Sequence, residues 1–222
     1  MKVKLISYTV PADPEIASNM MELTAYIARV SNPSNQNNKE TSERLINYCI
    51  KHHHWSVFEH CFATLEITTT RDIARQILRH RGAYFQEFSQ RYSDPTYDMG
   101  FVTREARLQD MKNRQNSIEV DDDDLHSQWE MLQSEIIDLS ESAYNWAIEN
   151  DIAKEQARVV LPEGLTVSRM YMSNNIRNWL HYIELRSGVE TQKEHREVAI
   201  ACSDALEPIF PMIKQFVNGE NV

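Results

Sequence analysis

The side chains best suited to chemistry are concentrated in residues 79–92. These fourteen residues contain three arginines, one histidine, one glutamate and one serine, interleaved with four aromatic side chains. The planar guanidinium group of arginine binds carboxylate and phosphate oxygens bidentately, and it also stacks on flat rings. The segment therefore favours a pocket for an anionic, planar ligand such as a nucleotide. The alternative is a solvated helix end whose charges form ordinary surface ion pairs.

The distribution of charge narrows the class of ligand. The formal net charge of −10 argues against broad binding of nucleic-acid polymers, because such binding relies on a basic surface. Residues 71–91 nevertheless hold five arginines against one aspartate and one glutamate. A local cationic patch on an acidic protein indicates a small anionic ligand. The sequence has neither a Gly-x-Gly-x-x-Gly motif nor a Walker loop, so arginine side chains must hold any phosphate.

Four motifs, in the same order, resemble those of the flavin-dependent thymidylate synthases. The first is Arg-His-Arg at residues 79–81, followed after seven intervening residues by Ser89 and by Gln-Arg-Tyr-Ser at residues 90–93. The others are His-Trp-Ser-Val-Phe-Glu-His at residues 54–60, Arg-Val-Val-Leu-Pro at residues 158–162, and residues 175–186, which begin Asn-Ile-Arg and end Leu-Arg. The resemblance extends from near the start of the chain to about residue 200.

This resemblance implies an enzyme that methylates dUMP to dTMP. Methylene-tetrahydrofolate would supply the carbon, and FAD, itself reduced by NADPH, would supply the hydride. The cofactor carries the redox chemistry, and the protein binds, orients and polarises. The family also implies a homotetramer in which several subunits build each active site.

The resemblance assigns roles to particular residues. Arg186 matches the family's activating arginine, which would stabilise negative charge developing on the uracil ring. The residues that match its nucleotide contacts are Gln76, Arg79, Glu87, Ser89, Arg91, Arg158 and Arg186. The residues that match its flavin contacts are His54, Ser56, Arg79, His80, Arg81, Glu87, Asn175, Arg177 and His181.

The chain also departs from the family pattern. Tyr84 stands where members often have serine, Gln86 where they have asparagine, and Glu190 where some have histidine. The four aspartates at residues 121–124 resemble a lineage-specific insert. These differences concern details of the flavin or folate pocket.

Three other kinds of site are weighed on the residues themselves. Consecutive histidines at residues 52–54 point in different directions, and His54 and His60 lack a usual zinc spacing, so no metal site is expected. Ser89 as a nucleophile would need an oriented base, and only His80 is near in sequence, so Ser89 is interpreted as a hydrogen-bonding ligand, with covalent attack as the alternative. The three cysteines have apolar neighbours and are expected to be buried, reduced thiols.

Two rival functions remain at this point. A non-catalytic nucleotide-binding or sensing module would use the same arginines, but unlike the enzyme it would not purify as a yellow protein. A histidine-rich metal hydrolase is the weaker rival, and metal analysis would identify it.

The element pattern predicts an α+β fold, mostly helical, with a small mixed or antiparallel sheet and no Rossmann domain. Strands are expected at residues 2–9, 62–70 and 166–172 because apolar and polar residues alternate there. Helices are expected from residue 14 after Asp13, over residues 40–51, after Thr70, over residues 125–146 and 152–161, after Ser173 or Asn174, and over residues 192–216 with a kink near Pro208 and Pro211.

The chain is expected to be one domain over residues 1–222, because no linker, repeat or long low-complexity tract divides it. No apolar run approaches the roughly 20 residues that a membrane span needs. The N-terminal residues lack the apolar stretch and cleavage site of a secretory signal. A cytoplasmic protein without a membrane partner is therefore expected.

Overall fold

An antiparallel sheet of four strands forms the centre of the molecule. The computed structural model describes residues 1–218. The strands are β1 (Lys2–Tyr8), β2 (Phe62–Thr70), β3 (Tyr84–Glu87), β4 (Arg107–Gln109), β5 (Ser117–Glu119) and β6 (Val167–Asn175). The sheet has the strand order β1–β2–β6–β3, and a separate two-stranded ribbon pairs β4 with β5.

Eight α-helices and four 3-10 segments surround the sheet within the described residues. The helices are α1 (Met20–Ala28), α2 (Ser42–Lys51), α3 (Arg71–Ile77), α4 (Pro95–Asp98), α5 (Asp123–Glu149), α6 (Lys154–Ala157), α7 (Ile176–Arg186) and α8 (Lys193–Leu206). The 3-10 segments are Pro33–Asn35, Trp55–Glu59, Arg158–Val160 and Pro211–Phe216. The predicted α+β class is confirmed, and the sheet is antiparallel.

Strands β2 and β6 form the middle of the sheet, and their alternating side chains build the core. In β2, Leu65 and Ile67 are fully buried, and in β6 Met170 and Met172 lie opposite them in register. The predicted strand at residues 62–70 is confirmed at both ends. The prediction for β6 ended too early, because residues 173–175 continue to pair with residues 62–64.

Helix α7 begins directly where β6 ends. The side chain of Asn175 accepts a hydrogen bond from the backbone of Asn178 and so caps the helix, which corrects the expected cap at Ser173 or Asn174. Trp179 is fully buried, and its indole nitrogen donates to the carbonyl of Ala63 at 3.0 Å. This contact fixes α7, and with it Arg186 in its last turn, against the sheet.

The segment after α3 contains a strand that the sequence analysis did not predict. Residues 84–87 form β3, which pairs with β6. The turn before it has Gly82 at φ +86°, and a Cβ at this position would lie 2.8 Å from Nδ2 of Asn178. That amide donates to the Gly82 carbonyl at 3.1 Å. The close approach joins the turn to α7, and it requires glycine.

Helix α5 leaves much of its apolar side uncovered. Its length agrees with the predicted helix, but the residues buried in this chain are Gln133, Ser140, Tyr144 and Ala147. An apolar stripe, defined here as Trp129, Leu132, Ile136, Leu139 and Trp146, is exposed. The apolar spacing therefore identified the helix but not the face that the chain itself buries.

Other helix boundaries differ from the predictions. Asp13 accepts a hydrogen bond from the backbone of Glu15 in a short turn, and the first helix begins only after Asn19, which caps it. The expected last helix is split into α8 and the 3-10 segment at Pro211–Phe216 because proline cannot continue the hydrogen-bond ladder. Among residues 1–218, no helix has the length and apolar character needed to span a bilayer.

Candidate nucleotide site

A cavity of about 460 Å³ is lined by Arg75, Gln76, Arg79 and Arg186. Gln76 lies in the last turn of α3, and Arg79 follows two residues after that helix ends. Arg186 lies in the last turn of α7. Three of the residues predicted to contact the nucleotide therefore meet around one space. The guanidinium of Arg75 is engaged by Glu163, at 2.6 and 2.5 Å, so Arg79 and Arg186 are the cations left for a ligand.

His80 positions the guanidinium group of Arg186. The Nε–H of Arg186 donates to Nε2 of His80 at 2.8 Å, so this nitrogen carries no proton. Burial, followed by the charge of Arg186 and the neighbouring His181, lowers the pKa of His80 to about 4. The neutral ring thus occupies only the Nε–H of Arg186. The two terminal amino groups of Arg186 form no hydrogen bond with any residue among 1–218, so they are left for a ligand.

A second histidine lies behind the first. His195 of α8 is fully buried, and its ring centroid lies 6.4 Å from that of His80 and 5.9 Å from that of Tyr182. Burial, followed by the charges of Arg186 and His80, lowers the pKa of His195 to about 3. The sequence analysis missed this residue. The available signal was its place in the register of α8, where a histidine falls among the apolar positions Val198, Ala199 and Cys202.

A second cavity, of about 290 Å³, lies along α7. It is lined by Trp55, Arg177, Asn178, Leu180, His181, Glu184 and Phe216. Arg177 and His181, both predicted as flavin contacts, therefore share one space, as side chains at i and i+4 on one helix face do. Arg177 forms an ion pair with Glu59. His54 and Ser56 flank Trp55 in sequence, and both are exposed.

The remaining predicted residues line neither of these two cavities. Glu87 accepts a hydrogen bond from Ser168 at 2.8 Å and lies 3.5 Å from Arg71, so it is already paired within the chain. Ser89 accepts a 3.4 Å contact from the backbone of Arg91. Arg91 itself lies 4.0 Å from Glu155. The structure places Arg81 on the exposed turn before Gly82, Asn175 at the cap of α7, and Arg158 in the 3-10 segment after α6.

The geometry gives no support to a nucleophilic serine. The Nε2 atom of His80, the base nearest in sequence to Ser89, is taken up by Arg186. The three cysteines are buried and unpaired, as expected. Among residues 1–218, no group of three or more His, Cys, Asp or Glu side chains is arranged to hold a metal ion.

Comparisons with known proteins agree with the motifs. The family described as "Thymidylate synthase complementing protein" matches residues 4–212. The "Probable flavin-dependent thymidylate synthase" of Paramecium bursaria Chlorella virus 1 is 48% identical over 213 residues, covering 96% of this chain and 97% of that protein. The "Flavin-dependent thymidylate synthase" of Synechocystis sp. is 45% identical over 218 residues, again covering 96% and 97%.

A solved structure supports the fold. The crystal structure of a UMP/dUMP methylase, PolB from Streptomyces cacaoi bound with 5-Br dUMP, superposes with a TM-score of 0.77. The likeness covers 97% of this chain and 93% of that one, at 24% sequence identity. At this identity the likeness concerns the fold.

Proposed function

The chain belongs to the flavin-dependent thymidylate synthase family, and from that premise we propose that it catalyses the reductive methylation of dUMP to dTMP. Methylene-tetrahydrofolate donates the carbon, and FAD reduced by NADPH donates the hydride. One observation carries the proposal. The cavity of Gln76, Arg79 and Arg186 presents an arginine whose terminal amino groups have no partner among residues 1–218.

In this proposal, dUMP binds at the first cavity. Arg79 and Arg186 complement its negative charge, since a guanidinium group suits phosphate and carbonyl oxygens alike. Gln76 supplies an uncharged polar contact. Glu87, Ser89, Arg91 and Arg158 are proposed as further nucleotide contacts. For this role, Glu87 must exchange or share its present contacts with Ser168 and Arg71.

Arg186 is the proposed catalytic residue. Carbon 5 of uracil becomes a better nucleophile when negative charge builds up on the ring, and a fixed guanidinium beside a ring carbonyl stabilises that charge. The hydrogen bond from Nε of Arg186 to neutral His80 fixes the plane of the fork before substrate arrives. Pre-orientation of this kind lowers the cost of reorganisation in the reacting state.

The residues around the second cavity fit a flavin dinucleotide by their chemistry. Arg177 and His181 are donors for phosphate oxygens, and Trp55 offers a flat apolar ring beside them. We propose that these donors hold FAD together with His54, Ser56, Arg79, His80, Arg81, Glu87 and Asn175. When bound, the reduced flavin supplies the hydride. The chain's own part is to bind it, to orient it against the uracil ring and to exclude water.

We further propose a homotetramer with shared active sites. Arg177 and His181 line one cavity and Arg186 lines another, so the described residues of one chain do not join these groups in a single continuous site. The exposed apolar stripe of α5 supplies a surface on which copies of the chain associate. We propose a cytoplasmic enzyme whose residues 1–222 act as one domain. Three unpaired thiols suit a reducing compartment.

The direct test is dTMP formation by the purified protein supplied with dUMP, methylene-tetrahydrofolate, FAD and NADPH. We expect a yellow protein that releases noncovalent FAD on heating and forms dTMP only when all four components are present. A colourless protein that binds dUMP but makes no dTMP would contradict the proposal and favour a nucleotide-binding module.

A further inference from the structure

A continuous chain of hydrogen bonds runs behind the dUMP cavity. Nδ1 of His195 lies 3.2 Å from Oε1 of Gln76. Nε2 of Gln76 donates to Oε1 of Gln192 at 2.8 Å, and Nε2 of Gln192 donates to Oε2 of Glu194 at 2.9 Å. The other carboxylate oxygen of Glu194 accepts from Arg107 at 2.5 Å. The chain therefore connects the ribbon of β4 and β5 to the cavity wall.

The charge of Glu194 fixes the direction of every bond in this chain. Burial raises the pKa of the carboxyl group, but its hydrogen bonds and the charge of Arg107 outweigh that effect, and its pKa is lowered. An ionised carboxylate only accepts hydrogen bonds. Gln192 must therefore turn its NH₂ group to Glu194 and its oxygen to Gln76.

The direction of the hydrogen bonds is fixed in the same way from Gln192 through Gln76 to His195. Because Gln76 donates to Gln192, its own oxygen faces His195, and His195 must donate from Nδ1. Full burial of the ring next to Arg186 keeps the imidazole neutral. The proton is therefore on Nδ1, and Nε2 is bare and has no partner among residues 1–218.

At the cavity, these hydrogen bonds determine whether the side-chain amide of Gln76 directs its oxygen or an N–H towards a ligand. One N–H of its amide is used by Gln192. The second N–H has no partner in the described part of the chain, and Gln76 lines the cavity. A ligand atom opposite this N–H has to be a hydrogen-bond acceptor. In dUMP, that atom is a carbonyl or phosphate oxygen.

Resting on the proposed function, we propose that Glu194 is a positioning residue for the substrate. Through Gln192 it fixes the amide of Gln76 with its N–H directed at an oxygen acceptor of dUMP. A merely structural role would be to pair with Arg107 and hold the ribbon against α8. The two roles differ in what happens when the charge is removed and the shape is kept.

Glu194→Gln is the variant that tests the direction of the chain, and Glu105→Gln is its matched control. Glu105 also contacts Arg107, at 3.2 Å, but it has no bond to Gln192. A glutamine at position 194 both donates and accepts, so Gln76 inverts in part of the molecules and turns its oxygen to the acceptor. We expect the KM for dUMP to rise about tenfold, with kcat within about threefold of the parent enzyme. Glu105→Gln should leave both parameters unchanged.

Two further measurements complete the test. Glu194→Asp keeps the charge and should recover much of the KM. Gln192→Met keeps the Glu194–Arg107 pair but breaks the chain, so it should raise the KM as Glu194→Gln does. Equal effects of the Glu194 and Glu105 variants, or no effect of Gln192→Met, would overturn the proposal.

The histidine tautomer gives a readout that does not depend on turnover. Correlation spectra of FAD-loaded protein labelled with ¹⁵N-histidine should show His195 protonated at Nδ1 in the parent protein and a tautomer mixture in Glu194→Gln. His195 protonated at Nε2 in the parent would overturn the inference even if dTMP is made. A parent protein that makes no dTMP but shows the Nδ1 tautomer would instead refute the proposed function.

Discussion

Helices α5 and α7 carry the same spacing of apolar residues but bury it differently. In α7, Trp179 and Ile183 are fully buried against the sheet. In α5, Leu139 and Trp146 of the apolar stripe remain 72% and 60% exposed. The periodicity of a sequence identifies a helix and its apolar face. It does not tell whether the same chain or another copy covers that face.

The residues that α5 does bury explain the difference. Gln133 uses its side chain to bond both the backbone N–H and the carbonyl of Arg104, at 2.9 and 2.8 Å. The stripe lies about a quarter turn around the helix from this buried side. Within the described residues, α5 is thus held by Gln133, Ser140, Tyr144 and Ala147, while the apolar stripe stays exposed.

The strongest test of this comparison is to charge the stripe. The double variant Leu132→Asp and Leu139→Asp should lose about 3–6 kcal/mol of association free energy per subunit, because two leucines no longer leave water. Light scattering should show dissociation, while Ser134→Asp, on the opposite polar side of α5, should remain assembled. Unchanged assembly of the double variant would show that copies associate through another surface.

A second test compares one tryptophan from each helix. In the dissociated double variant, Trp179→Ala should lower the free energy of unfolding by about 3–5 kcal/mol, since it leaves a cavity and an unpaired Ala63 carbonyl. Trp146→Ala in the same background should stay within about 0.5 kcal/mol. Urea unfolding measures both. Similar losses would mean that α5 packs within the chain after all.

The third test concerns Arg186, in the last turn of α7. Arg186→Ala should keep FAD and the oligomeric state but slow single-turnover dTMP formation about a hundred- to a thousandfold. Arg186→Lys keeps the charge without the planar fork, so it should also fall well short of the parent. Arg114→Ala, in the exposed turn between β4 and β5, is the control. Rates within a few-fold of the parent for both Arg186 variants would refute the catalytic role.

Acid should destabilise the α7 side of the molecule. The folded pKa of His195, about 3, and of His80, about 4, lie below the ordinary value of 6.5. The unfolded chain therefore binds more protons from pH 6.5 down to about 4 for His80 and about 3 for His195, so the contribution of these rings to stability is complete above pH 6.5 and falls as pH falls through this window. Between pH 7 and 5 the loss should be on the order of 2 kcal/mol, mainly from His195, because solvent screens the half-buried His80. Urea unfolding at both pH values measures it, and His195→Gln should flatten the dependence.

The smallest expected effect is that of Ser89→Ala. A hydrogen bond to substrate contributes about 0.5–1.5 kcal/mol net, whereas a nucleophile is indispensable. Single-turnover dTMP formation should therefore persist at a reduced rate in the FAD-loaded variant. A folded variant with no turnover, or a trapped covalent adduct between Ser89 and dUMP, would restore the nucleophilic interpretation.

The features predicted correctly are those that local pattern decides. The alternation of apolar and polar residues predicted both ends of β2 correctly, and apolar residues spaced three and four apart identified α5 and α7. Strand β3 was missed because its pairing partner, β6, lies more than 80 residues away in sequence. The late start of α1 was missed because the side chain of Asp13 accepts a hydrogen bond within a short turn, whereas Asn19 is the residue that caps the helix.

The residues of the candidate site likewise fall into those that the motifs identified and those that depend on tertiary packing. The motifs identified Gln76, Arg79 and Arg186, which line one cavity. Glu194, Gln192 and His195 were missed because their importance arises only when α8 packs against α3 and the ribbon. No spacing along the sequence encodes this network, because its bonds from Gln76 to Gln192 and to His195 join residues more than 100 positions apart.

The burial of the three thiols has a practical consequence for spectroscopy. Cys49, Cys61 and Cys202 are at most 3% exposed, and burial raises the pKa of each, so little reactive thiolate forms at neutral pH. A cysteine introduced at an exposed polar position, such as Ser134 of α5, is then the thiol that a maleimide probe meets first. The native protein therefore suits single-site labelling with fluorophores or spin labels without prior removal of its own cysteines.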